Sequence, residues 1–424
     1  MSNTHATRRD FMKRSVAAVA VPVIAPASAL GKDGKTAPSD RIVIAGIGMG
    51  GRMQTHLSNF LSHKQVQWAV ACDCFASRRN AAKARIDRFY RNKDCAVTRF
   101  HEEVLARSDV DAVILATGDR WHAVLSALAA RAGKDVYCEK PFSLTISEGQ
   151  KMVDVIERYG TVWQCGTQMR SNGSFRFAVE AIQKGRIGNV KRITASLGGG
   201  IRGGGPGKGE PAPDPEVFDY DRWLGQAPWA PYSRHIVRSW RGNWDMGGGT
   251  ICDLGAHLFD VARWALNTPD APVEYEGAPP TRKRGMLVAR SETARAKFAN
   301  GVELVGKVGD KEMRFEGDEG WLYIHVNGTI KTKPASILKD RFVPKVDRQF
   351  MKGHVENFLD CVRTRELPAA HAEAAQRSHI ICHCANLALR LGQKLTWDNK
   401  TKRFVGNDDA NKMLWRSMRA PWRI

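Results

Sequence analysis

Asp253 and His257 lie four residues apart in GGGTICDLGAHLFDVARW (residues 247–264), a spacing that places two side chains on one helical face, one turn apart. An imidazole titrates near neutral pH and can take a hydroxyl proton while hydride leaves the neighbouring carbon. His257 is therefore a candidate base for an alcohol oxidation. At about 100° per residue Asp253, His257, Asp260 and Trp264 share a face; Leu254, Leu258, Val261 and Ala265 line the adjoining apolar one, and Thr250 is the expected N-cap. Lys140 is the third group. Pro141 restricts it to extended backbone at the end of an apolar run, DVYC, where ligands of doubly wound sheets bind. Taken singly, a satisfied helix histidine or a surface-loop lysine would account for each, so the set acquires meaning only beside a hydride acceptor.

The elements that could hold such an acceptor come earlier. RIVIAGIGMGGRMQTHL (residues 41–57) opens with a β-branched run that predicts a buried strand, and Gly46, Gly48 and Gly51 then give G-x-G-x-x-G before a helical stretch from Met53. These glycines let the backbone turn and approach a pyrophosphate, while the helix start offers unpaired N–H groups. A second apolar strand, VQWAVACD, ends at Asp73, 22 residues after Gly51, the place of a carboxylate that bonds an adenosine ribose. Asp73 favours NAD, whereas the nearby Arg78 and Arg79 leave NADP open. VDAVILAT, then HAVLSALAARAG with Gly133 as its C-cap, then DVYCEKP continue the alternation of strand and helix. That alternation means a parallel, doubly wound sheet.

CEKPFSLTISEG (residues 138–149), with GTQMRSN (166–172), GRIGNVKRITA (185–195) and residues 247–264, resembles the Gfo/Idh/MocA family of oxidoreductases over almost all of the chain after residue 40. The resemblance implies an α/β fold, an N-terminal Rossmann doubly wound parallel sheet followed by a C-terminal α/β domain with a large, open, mostly antiparallel sheet. The expected divisions are residues 1–29, a signal; 30–40, a linker; 41–160, the NAD(P)-binding domain; and 161–424, the substrate and oligomerisation domain. By the same resemblance Lys140 donates a hydrogen bond to the substrate oxygen, and Asp253 holds a neighbouring hydroxyl and influences His257. Thr117, His122 and Glu139 then border the cofactor, although Gly118 and Asp119 replace the family's proline-containing turn before His122. Gln168 and Arg170 are candidates for binding substrate, a polar second-domain strand being the other reading. NVKRITASLG, TARAKFA, VELVGKV and EMRFEGDEGWLYI supply strands for the second sheet, with helices to follow over 354–365 and 370–391. The tail MLWRSMRAPWRI is expected across the surface. Glycine-rich residues 198–209 lack the strand and K-[ST] ending of a phosphate loop and read as a mobile loop, with a lid as one use of it.

TRRDFMKRSVAAVAVPV (residues 7–23) has the basic start, short apolar run and small residues near 27–29 of a signal peptide, and its paired arginines resemble the twin-arginine signal. Periplasmic or other export through that translocon is expected, without a stable membrane anchor. Of the formal charge of +21, the signal's four basic residues and one aspartate account for +3, leaving +18. The basic residues are scattered, so a solvated surface is expected and no nucleic-acid partner. Nine cysteines without a C-x-x-C pair are not a disulfide framework; Cys72, Cys138 and Cys252 fall in apolar, strand-like runs. His379 and His383 with Cys382 and Cys384 on one helix suggest core packing rather than a metal site.

The expected protein is an exported oxidoreductase, a dimer or tetramer. It would move hydride between a sugar, cyclitol or glycoside hydroxyl and tightly held NAD, or NADP, because outside the cytoplasm a released cofactor has no pool to rejoin. Two alternatives stand beside it: a redox-neutral, NAD-dependent glycoside hydrolase, and a non-catalytic protein that binds acidic glycans.

Overall fold

Parallel strands buried on both faces need continuous apolar sequence, and the first sheet has it. The computed structural model describes residues 40–201, 204–205, 207–277, 293–339 and 350–424; the expected signal and residues 202, 203 and 206 of the glycine-rich run lie outside them. β1 (Ile42–Ile47), β2 (Val66–Cys72), β3 (Ala96–Thr98), β4 (Ala112–Leu115), β5 (Asp135–Cys138) and β6 (Trp163–Cys165) form a six-stranded parallel sheet in the order β3-β2-β1-β4-β5-β6. Its last strand lies just beyond residue 160, where the sequence placed the domain's end. Helix α1 (Gly51–Leu61) anchors by Met53, Leu57, Phe60 and Leu61, the one-face spacing of an amphipathic helix. Helices α2 (Ala76–Tyr90), α3 (Asp119–Arg131) and α4 (Ile146–Arg158) complete the layers. Thr145 caps α4, accepting from the Glu148 N–H, while Glu148 reaches back to the Leu144 N–H at 3.1 Å, close to a capping box.

Among the described residues the second sheet has nine strands in the order β13-β12-β11-β7-β10-β9-β8-β14-β15. They are β7 (Val190–Leu197), β8 (Glu274–Gly277), β9 (Ala294–Lys297), β10 (Glu303–Lys307), β11 (Lys311–Gly317), β12 (Trp321–His325), β13 (Ile330–Lys333), β14 (Leu395–Asp398) and β15 (Arg403–Phe404). Every pairing in it is antiparallel except β10 with β7. The run EMRFEGDEGWLYI is thus a hairpin of two strands. One face of this sheet is covered by α5 (Gly173–Gln183), α6 (Gly255–Ala265) and α8 (Ala372–Leu391), whose apolar residues share a core with Ile193, Leu304, Phe315 and Ile324.

The two sheets are not independently cored. Helix α7 (Phe350–Thr364) packs Val355, Phe358 and Leu359 against Phe60 and Tyr137 of the first domain, and His354 holds the Cys165 carbonyl at 2.8 Å. Along α8, Ala372 and Ala375 belong to the first core, whereas Ile380 to Leu389 belong to the second. Residues 42–424 accordingly form one compact unit. The tail departs from the expected surface course, since Leu414 and Trp422 are buried, the latter in the first core. All nine cysteines are free thiols, eight of them buried, and Cys252 belongs to a short helix, Gly249–Asp253, rather than a strand.

Arg170 contradicts its expected role in substrate binding. Its guanidinium makes a two-pronged pair with Asp260, 2.6 and 2.7 Å, with both side chains nearly enclosed. Burial opposes the Asp260 charge, but Arg170 outweighs it and holds the carboxyl below the usual range. Ser378 completes the set by donating to Asp260 at 2.6 Å. Leaving a buried charge without its partner costs about 3–5 kcal/mol. Asp260→Ala is expected to lose that much in urea unfolding, and a loss under about 1 kcal/mol would mean the pair is not structural.

Candidate active site

Gly48 shows why the first motif needs glycine. Its φ is +86°, and a Cβ there would lie 2.8 Å from the Ala116 carbonyl oxygen, a conformation and approach that side chains do not tolerate. The helix that follows has no side-chain cap, so its first N–H groups are unclaimed by side chains. Asp73, 7% exposed, accepts from the Met49 N–H at 2.6 Å and the Phe75 N–H at 2.8 Å. It faces a cavity of about 200 Å³ lined also by Gly48, Gly50, Gly51, Arg78 and Thr117. Gly46 lies in β1 beneath this loop. Arg79 is occupied by the Asp73 and Glu216 carbonyls, whereas Arg78 stacks on Phe75 at 4.0 Å. A glycine cradle, an uncapped helix start and a buried carboxylate at the end of β2 fit a dinucleotide.

A second cavity, about 450 Å³, shares Arg52, Ala116, Thr117 and Arg241 with the first. Its volume is that of a small-ligand site. Glu139, Lys140, His122, Gln168, Asp253 and His257 all reach it. Lys140 precedes a cis bond to Pro141 and pairs with Asp253, which joins the end of β5 to the second domain. Burial opposes the Asp253 charge, yet Lys140 keeps its carboxyl below the usual range. Glu139 is a buried anchor: its Oε1 accepts from Arg52 at 2.7 Å, His56 at 2.8 Å and Gln168 at 3.1 Å. Against the cost of burial, Arg52 and His56 hold it ionised well below the usual range. His122 is fixed through Nδ1 to the Pro141 carbonyl at 2.7 Å.

The helix carrying Asp253 and His257 is not continuous. It breaks at Leu254, between Gly249–Asp253 and α6, and its N-cap is Gly248. Thr250 lies inside the first turn and accepts from the Ile201 N–H, so it is not the cap. Both acidic and imidazole groups still face one cavity, while Asp260, expected on the same face, turns into the Arg170 pair. His257 has a buried Nδ1 without a hydrogen-bond partner among the described residues, as does Thr117 through its hydroxyl. Burial, and then the Lys140 charge, lower the His257 pKa to about 3. The ring is therefore neutral near pH 7, and both influences oppose its protonation. Gln168 belongs to a 3-10 turn, Gln168–Ser171, rather than a strand, and its amide nitrogen is spent on Tyr137 and Glu139. It shapes the wall.

Sequence reasoning missed the wall built by residues 214–241. Phe218 stacks on Phe75 at 3.7 Å, and the Asp219 N–H bonds the Cys74 carbonyl at 3.1 Å, bringing Arg222, Trp223, Trp240 and Arg241 over the first cavity. The available signal was the density of tryptophan next to arginine, R-W at 222–223 and W-R at 240–241, in a stretch with no periodicity.

These features define a two-domain dinucleotide-binding protein with a polar site at the domain junction. Residues 41–167 match the family model described as "Oxidoreductase family, NAD-binding Rossmann fold", and residues 202–424 match "Oxidoreductase family, C-terminal alpha/beta domain". The chain belongs to the Gfo/Idh/MocA oxidoreductase family. It is 30% identical over 174 residues to the 1,5-anhydro-D-fructose reductase of Ensifer adhaerens, covering 41% of this chain and 42% of that protein. A glycosyl hydrolase family 109 protein of Shewanella baltica is 31% identical over 176 residues, 37% and 38% of the two chains. The match thus spans about two fifths of these curated relatives. Among solved structures, the WlbA dehydrogenase from Bordetella pertussis in complex with NADH and UDP-GlcNAcA shares the fold, with a TM-score of 0.65, 18% identity, and coverage of 84% of this chain and 98% of that one.

Two outcomes are expected. Lys140→Met should lower kcat by about 10²- to 10⁴-fold, the usual worth of a positioned proton-transfer or charge-stabilising group, with NADH affinity by fluorescence titration unchanged. A loss of NADH binding instead would assign Lys140 to the cofactor. Burial also lowers His379 to about 3 and His354 to about 4. The unfolded chain protonates such groups near 6.5, so the stability they confer is complete above that pH and is lost as pH falls toward 3 to 4. The urea midpoint should drop between pH 7.5 and pH 5; a constant or rising midpoint would contradict the assignment.

Proposed function

We propose that this protein is an oxidoreductase that moves hydride between a carbohydrate or cyclitol hydroxyl and a retained NAD. The observation that carries the reading is the sharing of Arg52, Ala116, Thr117 and Arg241 between the glycine-loop cavity and the cavity holding Lys140, Asp253 and His257. When bound, the cofactor supplies the hydride acceptor. The chain's residues do the rest. Lys140, oriented by Asp253, donates to the substrate oxygen and stabilises its developing negative charge. His257, neutral in its buried setting, takes the hydroxyl proton, with the Glu139 and Asp253 charges offsetting in part the burial and the Lys140 charge that disfavour its imidazolium. Glu139 fixes Arg52, His56 and Gln168 around them.

The reading includes export through a twin-arginine signal over residues 1–29 and oligomers in solution. Export makes retention necessary, and the wall of residues 214–241 over the first cavity supports it. A second carbonyl substrate, or the product itself, would be the oxidant that closes the cycle without release. The similarity to a glycosyl hydrolase family 109 protein favours one second reading, in which transient oxidation permits aglycone elimination before hydride returns.

Protein purified from the periplasm is expected to carry NAD(P) detectable by mass analysis. Without added NAD, sugars or cyclitols should reduce that bound cofactor, seen as near-ultraviolet nicotinamide absorbance. Aglycone release from aryl glycosides with no net reduction would replace the dehydrogenase reading by the hydrolytic one.

A further inference from the structure

Four consecutive residues, 223–226, are gripped from two directions. From the first domain, Arg120 donates Nε to the Leu224 carbonyl at 2.9 Å and Nη2 to the Trp223 carbonyl, and stacks on the Trp223 ring at 4.3 Å. The Gln226 side chain returns a bond to the Arg120 carbonyl. From the C-terminal tail, Arg419 donates Nε to the Gly225 carbonyl at 3.0 Å, its own N–H to the Gln226 carbonyl at 3.0 Å, and Nη1 to Asp221 at 2.5 Å. The packing between these grips leaves no slack: Gly225 has φ +61°, and a Cβ there would lie 2.6 Å from the Trp121 ring.

Arg120, Trp121 and Trp223 line the glycine-loop cavity. Arg120 is 1% exposed, and its remaining nitrogen, Nη1, has no hydrogen-bond partner among the described residues. The tail reaches the same wall a second time, because Trp422, 7% exposed, packs edge-on to Trp121 at 5.7 Å with Arg419 over its ring at 4.7 Å. Its near end is fixed by the Ser147 N–H on the Leu414 carbonyl at 3.0 Å and by Lys151 over Trp415 at 4.3 Å. The tail therefore touches both the first domain and the wall segment of the second.

We propose that Arg419 is a positioning residue for cofactor retention: by holding Asp221, Gly225 and Gln226 it fixes Arg120, Trp121 and Trp223 as the closed outer wall of the dinucleotide cavity. This rests on the retained-cofactor reading above. Loss of Arg419 frees the 223–226 segment on one side, the wall opens more often, and the dinucleotide leaves faster.

The test uses NADH-loaded full-length protein and the variants Arg419→Ala, Arg419→Lys and Trp422→Ala. NADH release is followed as the loss of tryptophan-to-nicotinamide energy transfer after addition of excess NAD, and affinity is measured by equilibrium titration. Arg419→Ala should release NADH about tenfold faster, the worth of one or two charge-assisted hydrogen bonds, with substrate KM at saturating cofactor unchanged. Arg419→Lys keeps the charge but not the fork and should fall between; it also serves if Arg419→Ala does not fold. Folded variants with the wild-type release rate and affinity would overturn the proposal. Rapid release by the wild type would instead overturn retention, and the ratio of variant to wild-type affinity would still decide the role of Arg419.

Discussion

The ion pair between Lys140 and Asp253 ties the end of β5 to the last residue of the short helix Gly249–Asp253 in the second domain, and the geometry of the junction follows from it. Neither side chain is fully exposed, and Lys140 keeps the Asp253 carboxyl below the usual range against the effect of burial. The pairing fixes the ammonium at the mouth of the second cavity and places a carboxylate one turn from His257. The same logic recurs one residue earlier. Glu139 is almost wholly buried, and Arg52 and His56 keep it ionised against that burial. Consecutive residues of opposite charge at the end of one strand thus reach into both domains, and the cavity between them is polar because its charges are already matched.

Much of this was legible in the residues. The glycine loop, the carboxylate at Asp73 and the one-turn spacing of Asp253 and His257 follow from local spacing, because strand ends and helix turns repeat at fixed distances, whereas joining Lys140 to them, 113 residues away, rested on the family resemblance. Arg170 was not legible for the opposite reason. A buried arginine and a ligand-binding arginine look alike in sequence, and the partner that decides between them, Asp260, is ninety residues away. Thr250 was misplaced because the helix starts at Gly249 with Gly248 as its N-cap, a position that the preference for a hydroxyl cap does not reveal. The wall of residues 214–241 has no periodicity at all; its position is set by Phe218 finding Phe75 across the domains.

Arginine and tryptophan divide the labour in that wall. Trp223 and Trp240 offer broad apolar surface, and Arg120 and Arg241 lie over their rings at 4.3 and 4.4 Å. Stacking of this kind tolerates desolvation of the guanidinium better than an ammonium would allow. A cavity can therefore be both enclosed and cationic, a combination suited to a polyanionic ligand with flat rings.

Helix α8 carries a different consequence. Its first turns are packed in one core and its last turns in the other, and it is buried along nearly all of its length. A rigid rod embedded in both cores cannot leave one without disturbing the other. The two domains are therefore expected to melt as a single cooperative body, since a cut between them would leave each fragment missing part of its own interior. A wide swing of one domain from the other would have to break this shared packing, which leaves segments at the rim of the junction as the elements freest to govern access.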